Sequence, residues 1–124
     1  MLQIFRYLLI FFTIFSFTNL KALETDWSIG NESKVRVFSP NSHSNNNNTI
    51  FLGLEYELKE GWKTYWQSPG EGGFPQEINW QNSKNISSVE VLWPIPKYFE
   101  ILGFNSIGYS EKVFFPVEIE IENT

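Results

Sequence analysis

TIFLGLEYEL, residues 49–58, alternates along its whole length: Ile50, Leu52, Leu54, Tyr56 and Leu58 fall on one side, and Glu55 and Glu57 on the other. A period of two belongs to a β-strand with one buried face. The two glutamates therefore read as solvated strand residues. Upstream, KVRVF at Lys34–Phe38 alternates in the same way, and SPNSHSNNNN at Ser39–Asn48 between the two runs is a polar surface loop. Glu24–Ser33 is polar and irregular, a lead-in to the first strand. Downstream, Glu60-Gly61 turns the chain, and WKTYW at Trp62–Trp66 places Trp62, Thr64 and Trp66 on one inward side. SPGEGGFP at Ser68–Pro75 reads as a loop on its glycines and prolines.

Ile78–Trp80 and Val89–Trp93 predict two short strands, and Pro94 and Pro96 forbid regular pairing just after Trp93. Val113, Phe115, Val117, Ile119 and Ile121 line one face of a last strand. Pro116 on its opposite face predicts an edge position or a bulge. Outside the first 22 residues no stretch carries helical periodicity, so the fold class is all-β, a sandwich or small barrel of short strands. A sandwich closing on that last strand is expected to be incomplete at its C-terminal edge, and the chain to be a fragment of a longer protein.

The 124 residues suffice for one domain. Aromatic side chains make up 18% of them, which lets a small domain assemble a core from few positions. There is no cysteine, which removes disulfides, thiolate zinc sites and dithiol redox chemistry from within this sequence. Met1–Arg6 carries one positive charge, Tyr7–Phe17 is apolar apart from Thr13 and Ser16, and a polar stretch then leads to Ala22. Charged start, short apolar middle and small exit residue describe a secretory signal peptide over residues 1–22, ahead of a domain at 23–124. Arg6 and Lys21 lie in that segment, so its removal takes the formal charge from −5 to about −7. Such a balance argues against nucleic acid or anionic lipid as a partner.

Four motifs follow Gly61: GWKTYWQSPGEGGFP at Gly61–Pro75, INW at Ile78–Trp80, VLWPIPKYFE at Val91–Glu100, and Gly108-Tyr109. Together they resemble the amino-terminal domain of DsbD-type thiol:disulfide interchange proteins, in particular the bacterial subgroup related to the copper-tolerance protein ScsB. The resemblance spans Lys34 to Ile121. It implies an immunoglobulin-like β-sandwich in the periplasm that relays electrons from a membrane-embedded domain to periplasmic thiol/disulfide proteins through a close cysteine pair, without a small-molecule cofactor. In that subgroup the pair follows the strand matching Val113–Ile121. This sequence has no cysteine, so no catalytic residue is carried over to any position.

The binding candidates are the residues left facing outward around these motifs. Tyr65 lies on the face opposite Trp62 and Trp66. Ser68, Pro69 and Gly70 open the glycine-rich loop. Trp93, Pro94 and Tyr98 belong to a stiff aromatic corner, where prolines reduce the ordering cost of docking. The glycine-rich loop lacks the strand-to-helix setting of a phosphate site, so a structural turn is its simpler reading. His43 is the sole histidine and sits in the Asn-rich loop, which leaves no metal site and no nucleophile–histidine pair. Two other readings stay open: a cysteine-free periplasmic recognition module, and a structural sandwich within a larger envelope protein. The sequence following Thr124 in the source genome separates the three, through a close cysteine pair, a stop codon or further sandwich repeats.

Overall fold

The computed structural model describes residues 23–40 and 48–122, so the expected signal peptide, His43 and most of the Asn-rich loop lie outside the described residues. The described chain is all-β. Its strands are β1 (Leu23–Glu24), β2 (Ser28–Ile29), β3 (Ser33–Ser39), β4 (Thr49–Leu58), β5 (Lys63–Gly70), β6 (Ile86–Val91), β7 (Lys97–Ile101), β8 (Phe104–Ser110) and β9 (Lys112–Ile121). They form two antiparallel sheets, one in the order β1-β3-β4-β9-β6 with β2 also on β3, the other β5-β8-β7. The architecture is an immunoglobulin-like β-sandwich.

The two strands with the clearest alternation pair with each other. Ile50, Leu52, Leu54 and Tyr56 of β4 stand opposite Ile119, Val117, Phe115 and Val113 of β9. Directly opposed residues share a face, so one register seats both apolar sets on the same side. The core gathers there: Leu54, Val113, Phe115, Val117 and Ile119 are buried, joined by Tyr109 from the smaller sheet. Phe115 sits at its centre, with Tyr56, Trp93 and Tyr109 all meeting its ring edge-on at centroid distances of 5.6, 5.4 and 5.1 Å.

Five expectations are corrected here. Pro116 lies in β9, an interior strand between β4 and β6, rather than at an edge or bulge. It is tolerated because its carbonyl accepts from Leu92 N at 2.8 Å, so its missing N–H faces the same side, where β6 has ended at Val91. The last strand is accordingly covered on both edges rather than left exposed. Trp62 precedes β5 in a turn and is half exposed, while Trp66 packs against the core as expected. Ile78–Trp80 forms no strand, although Ile78 and Trp80 do pack onto the core.

The fifth correction concerns Glu55. It is 6% exposed, on the outer face of the larger sheet. Arg36 Nε donates to its carboxylate at 2.6 Å, and Lys112 Nζ contacts the other oxygen. Lys112 first, and then Arg36, hold the Glu55 carboxyl below the usual carboxylate range. A lowered folded-state value stabilises the fold above the unfolded value and is lost as pH falls through the folded one. Urea unfolding should therefore show wild-type stability falling as pH drops below the usual carboxylate range, and Glu55→Gln should be less stable at pH 7 and flatter over the same window. Parallel pH profiles for the two proteins would contradict this role.

The lead-in is ordered along the β3 edge. Leu23↔Ser39 and Glu24↔Phe38 pair at one end, and Ser28↔Val35 and Ile29↔Lys34 at the other. Between them Thr25 satisfies both backbone groups of Val37, through Thr25 N→Val37 O at 2.9 Å and Val37 N→Thr25 Oγ1 at 3.1 Å. Trp27 lies under the cations of Lys34 and Arg36, at 4.4 and 4.7 Å.

Candidate functional site

All four sequence motifs meet at the smaller sheet or at its junction with the core. Thr64 and Tyr65 of β5 pair with Tyr109 and Gly108 of β8. A side chain at Gly108 would overlap the Thr64 carbonyl oxygen and come within 2.8 Å of Tyr65 Cα, so the glycine lets two backbones touch. Tyr109 continues to the next motif: its hydroxyl donates to the Pro94 carbonyl at 2.8 Å. Burial pushes that phenol up to about 12, so it remains a donor at any physiological pH.

The glycine-rich segment folds back onto β8. Glu71 N donates to Asn105 O at 2.9 Å, and Asn105 N donates to the Glu71 carboxylate at 3.0 Å. Ser106, fully buried, donates to Gly72 O at 2.7 Å. Gln76 Nε2 reaches Tyr65 O at 3.2 Å, and Gly73 lies against the Tyr65 ring. The backbone N–H of Glu71 is committed to Asn105 and a carboxylate stands beside it, so the segment is a structural turn rather than an anion cradle.

The candidate residues divide between surface and interior. Tyr98 is 83% exposed, although its register partner Ile107 shares the inward face of Tyr109. Tyr65 is half-buried beneath Gly73, with Phe99 at 6.2 Å, and so lacks the open surface position expected of it. Trp93 likewise belongs to the core, edge-on to Phe115, and Pro94 beside it is half-buried. Ser68, Pro69 and Gly70 form the tail of β5 rather than a loop, and pairing with β8 resumes at Gly70↔Ser106 after an irregularity.

The most exposed apolar side chains are not the ones singled out as binding candidates: Phe74 and Ile95 lie within the motifs, and Leu102 and Phe104 outside them. Phe74, Ile95 and Leu102 are almost fully exposed, reaching 95% at Ile95, and Phe104 is more than half exposed. Phe104 and the glycine-rich turn adjoin, its Cβ lying against Gly72. Leu102 and Phe104 belong to the β7–β8 hairpin, which the sequence reading missed altogether. Leu102-Gly103 joins KYFEI to FNSIGYS with positive φ at both residues, as a type I′ turn requires, and of the two only Gly103 is a turn signal in sequence, since leucine is uncommon at positive φ. The small sheet thus ends in an apolar hairpin tip, Leu102 and Phe104, with Gly72 of the glycine-rich turn packed against it.

A family model described as the N-terminal domain of the thiol:disulfide interchange protein DsbD matches residues 32–124. The chain belongs to this family. In three dimensions it is similar to the N-terminal periplasmic domain of ScsB from Proteus mirabilis, with a TM-score of 0.71 and 34% sequence identity over 84% of this chain. It also resembles a Kelch domain-containing protein of Saccharolobus solfataricus, at 32% identity over 96 residues, or 77% of this chain. The chain spans 41% of the ScsB structure and 11% of the Kelch protein. All four motifs fall inside the DsbD family match, whereas β1 and β2 precede it.

Proposed function

We propose that this chain is the periplasmic recognition domain of a thiol:disulfide interchange protein, serving the relay of reducing equivalents from a membrane-embedded domain to periplasmic thiol/disulfide proteins. Exchange requires a thiolate, and these 124 residues contain none, so their contribution is docking rather than bond exchange. The observation carrying this reading is the apolar hairpin tip of Leu102 and Phe104. It is tied to the glycine-rich motif by the Ser106 hydroxyl on Gly72 O and by the two hydrogen bonds between Asn105 and Glu71. Exposed apolar side chains on a rigid support make interface anchors, because little entropy is lost on docking. The signal-like segment 1–22 supports export, and amino-terminal sequencing of the secreted form should begin near Leu23.

The test is titration of the purified exported chain with a thioredoxin-fold protein bearing a Cys-X-X-Cys pair, in reduced and oxidised forms, followed by calorimetry. Binding of at least one form is expected, weakened about tenfold or more by the double variant Leu102→Ser, Phe104→Ser. Both positions are exposed, so the variant should melt with the wild type. Absence of binding in both redox states, or equal binding by the variant, would overturn the reading.

A further inference from the structure

We infer that the outer face of the larger sheet is a second docking surface, fitted to a protein segment that carries a lysine or arginine beside an apolar side chain. This face points away from the smaller sheet and its apolar tip, so the inference stands apart from the function proposed above.

The register lays the face out in three zones. At one end Lys34, Arg36 and Lys112 are matched by Glu24, Glu55 and Glu57, and every carboxylate there has a cationic partner. In the middle Phe38 and Phe114 stack with centroids 4.8 Å apart over Gly53, where a side chain would come within 2.7 Å of Phe38 Cζ. That stack covers the glycine and has a structural purpose. The same zone also exposes Phe51, Phe114 and Leu92, at 38%, 38% and 39%. Gly53↔Pro116, Phe51↔Glu118 and Val91↔Val117 place these side chains next to one another around Pro116.

The third zone departs from the first. Glu90 of β6 and Glu118 of β9 stand directly opposite each other, and Glu120 follows two residues along on the same face. Ser88 donates to Glu120 at 2.8 Å, but among the described residues no lysine or arginine pairs with any of these three. Like charges directly opposed across strands are unfavourable. A sequence that neutralises one end of the face so thoroughly leaves the other uncompensated, beside an apolar strip.

Charge selects the occupant. A second copy docked through the same face would offer no spare cation, since its three cations are already matched by three carboxylates. Anionic lipid and nucleic acid are repelled. A cationic, partly apolar polypeptide satisfies both the carboxylate row and the strip of Phe51, Leu92 and Phe114.

The probe is a ten-residue peptide of alternating lysine and leucine, titrated into the isotopically labelled exported chain and followed by amide chemical shifts. The largest shifts are expected at Phe51, Glu90, Leu92, Phe114 and Glu118. Affinity should fall about fivefold or more in the double variant Glu90→Gln, Glu118→Gln, and much less in Glu60→Gln, Glu77→Gln, which removes the same charge elsewhere. The first double variant should also melt at or above the wild-type temperature, because it relieves an unfavourable opposition. Shifts centred on other surfaces, equal loss in the two double variants, or destabilisation by the first would each overturn the inference, the last because the carboxylates would then serve the fold.

Discussion

Gly108→Ala is expected to cost about 3 kcal/mol of stability, an upper-range overpacking penalty, because the added carbon meets main chain rather than a movable side chain. Its nearest neighbours would be the Thr64 carbonyl oxygen and, at 2.8 Å, Tyr65 Cα. A flexible side chain could rotate aside, but a paired strand must move as a unit. Relief therefore requires β5 to separate from β8 at Thr64↔Tyr109 and Tyr65↔Gly108, the pairing that joins two of the family's motifs. For a domain of this size the loss corresponds to a melting point lower by about 15 °C. Tryptophan fluorescence during thermal unfolding reads it, since Trp62 and Trp66 flank the displaced segment. A melting point within two degrees or so of wild type (a shift of well under 1 kcal/mol) would show that the strands are looser at this point than their contact implies. Gly103→Ala is the contrasting case: nothing lies within 4 Å of a side chain there, so only the strain of its positive φ opposes the change.

What could be read from the sequence divides along the same line between local pattern and tertiary placement. The β3, β4 and β9 alternations identified their strands and the buried face of β9, because a period of two is a local signal. Strand order is not local. Pro116 suggested an edge on chemical grounds, yet the neighbouring strand ends just where its missing donor would be needed. Glu55 looked solvated because neither of its partners is a sequence neighbour, Arg36 and Lys112 arriving from β3 and β9. The motif aromatics Trp93 and Tyr65 are partly buried, while the exposed side chains include Leu102 and Phe104 at the β7–β8 hairpin, outside the motifs. Large aromatics in a motif are more often what holds a site than what meets its partner, since burial is where they contribute most.

Phe115→Ala should have the largest effect of any single truncation, a loss of about 4 kcal/mol. The side chain is almost fully buried, and three aromatic rings from three other parts of the chain converge on it: Tyr56 from β4, Trp93 after β6, and Tyr109 from β8. Truncation removes the transfer energy of the ring and opens a cavity that three rigid neighbours cannot easily fill. In a domain whose whole stability is about 5–15 kcal/mol, that loss leaves a marginal fold. Phe115→Leu keeps most of the volume without the edge-on contacts and should lie between the two. Because Tyr109 both touches Phe115 and holds the Pro94 carbonyl, the core and the proline corner should be energetically linked. A double-mutant cycle of Phe115→Leu with Tyr109→Phe, measured by urea unfolding, is expected to deviate from additivity by about 0.5 kcal/mol or more. Strict additivity would mean that the corner is held by its prolines alone. A cost below about 1 kcal/mol for Phe115→Ala would displace the centre of the core from this residue.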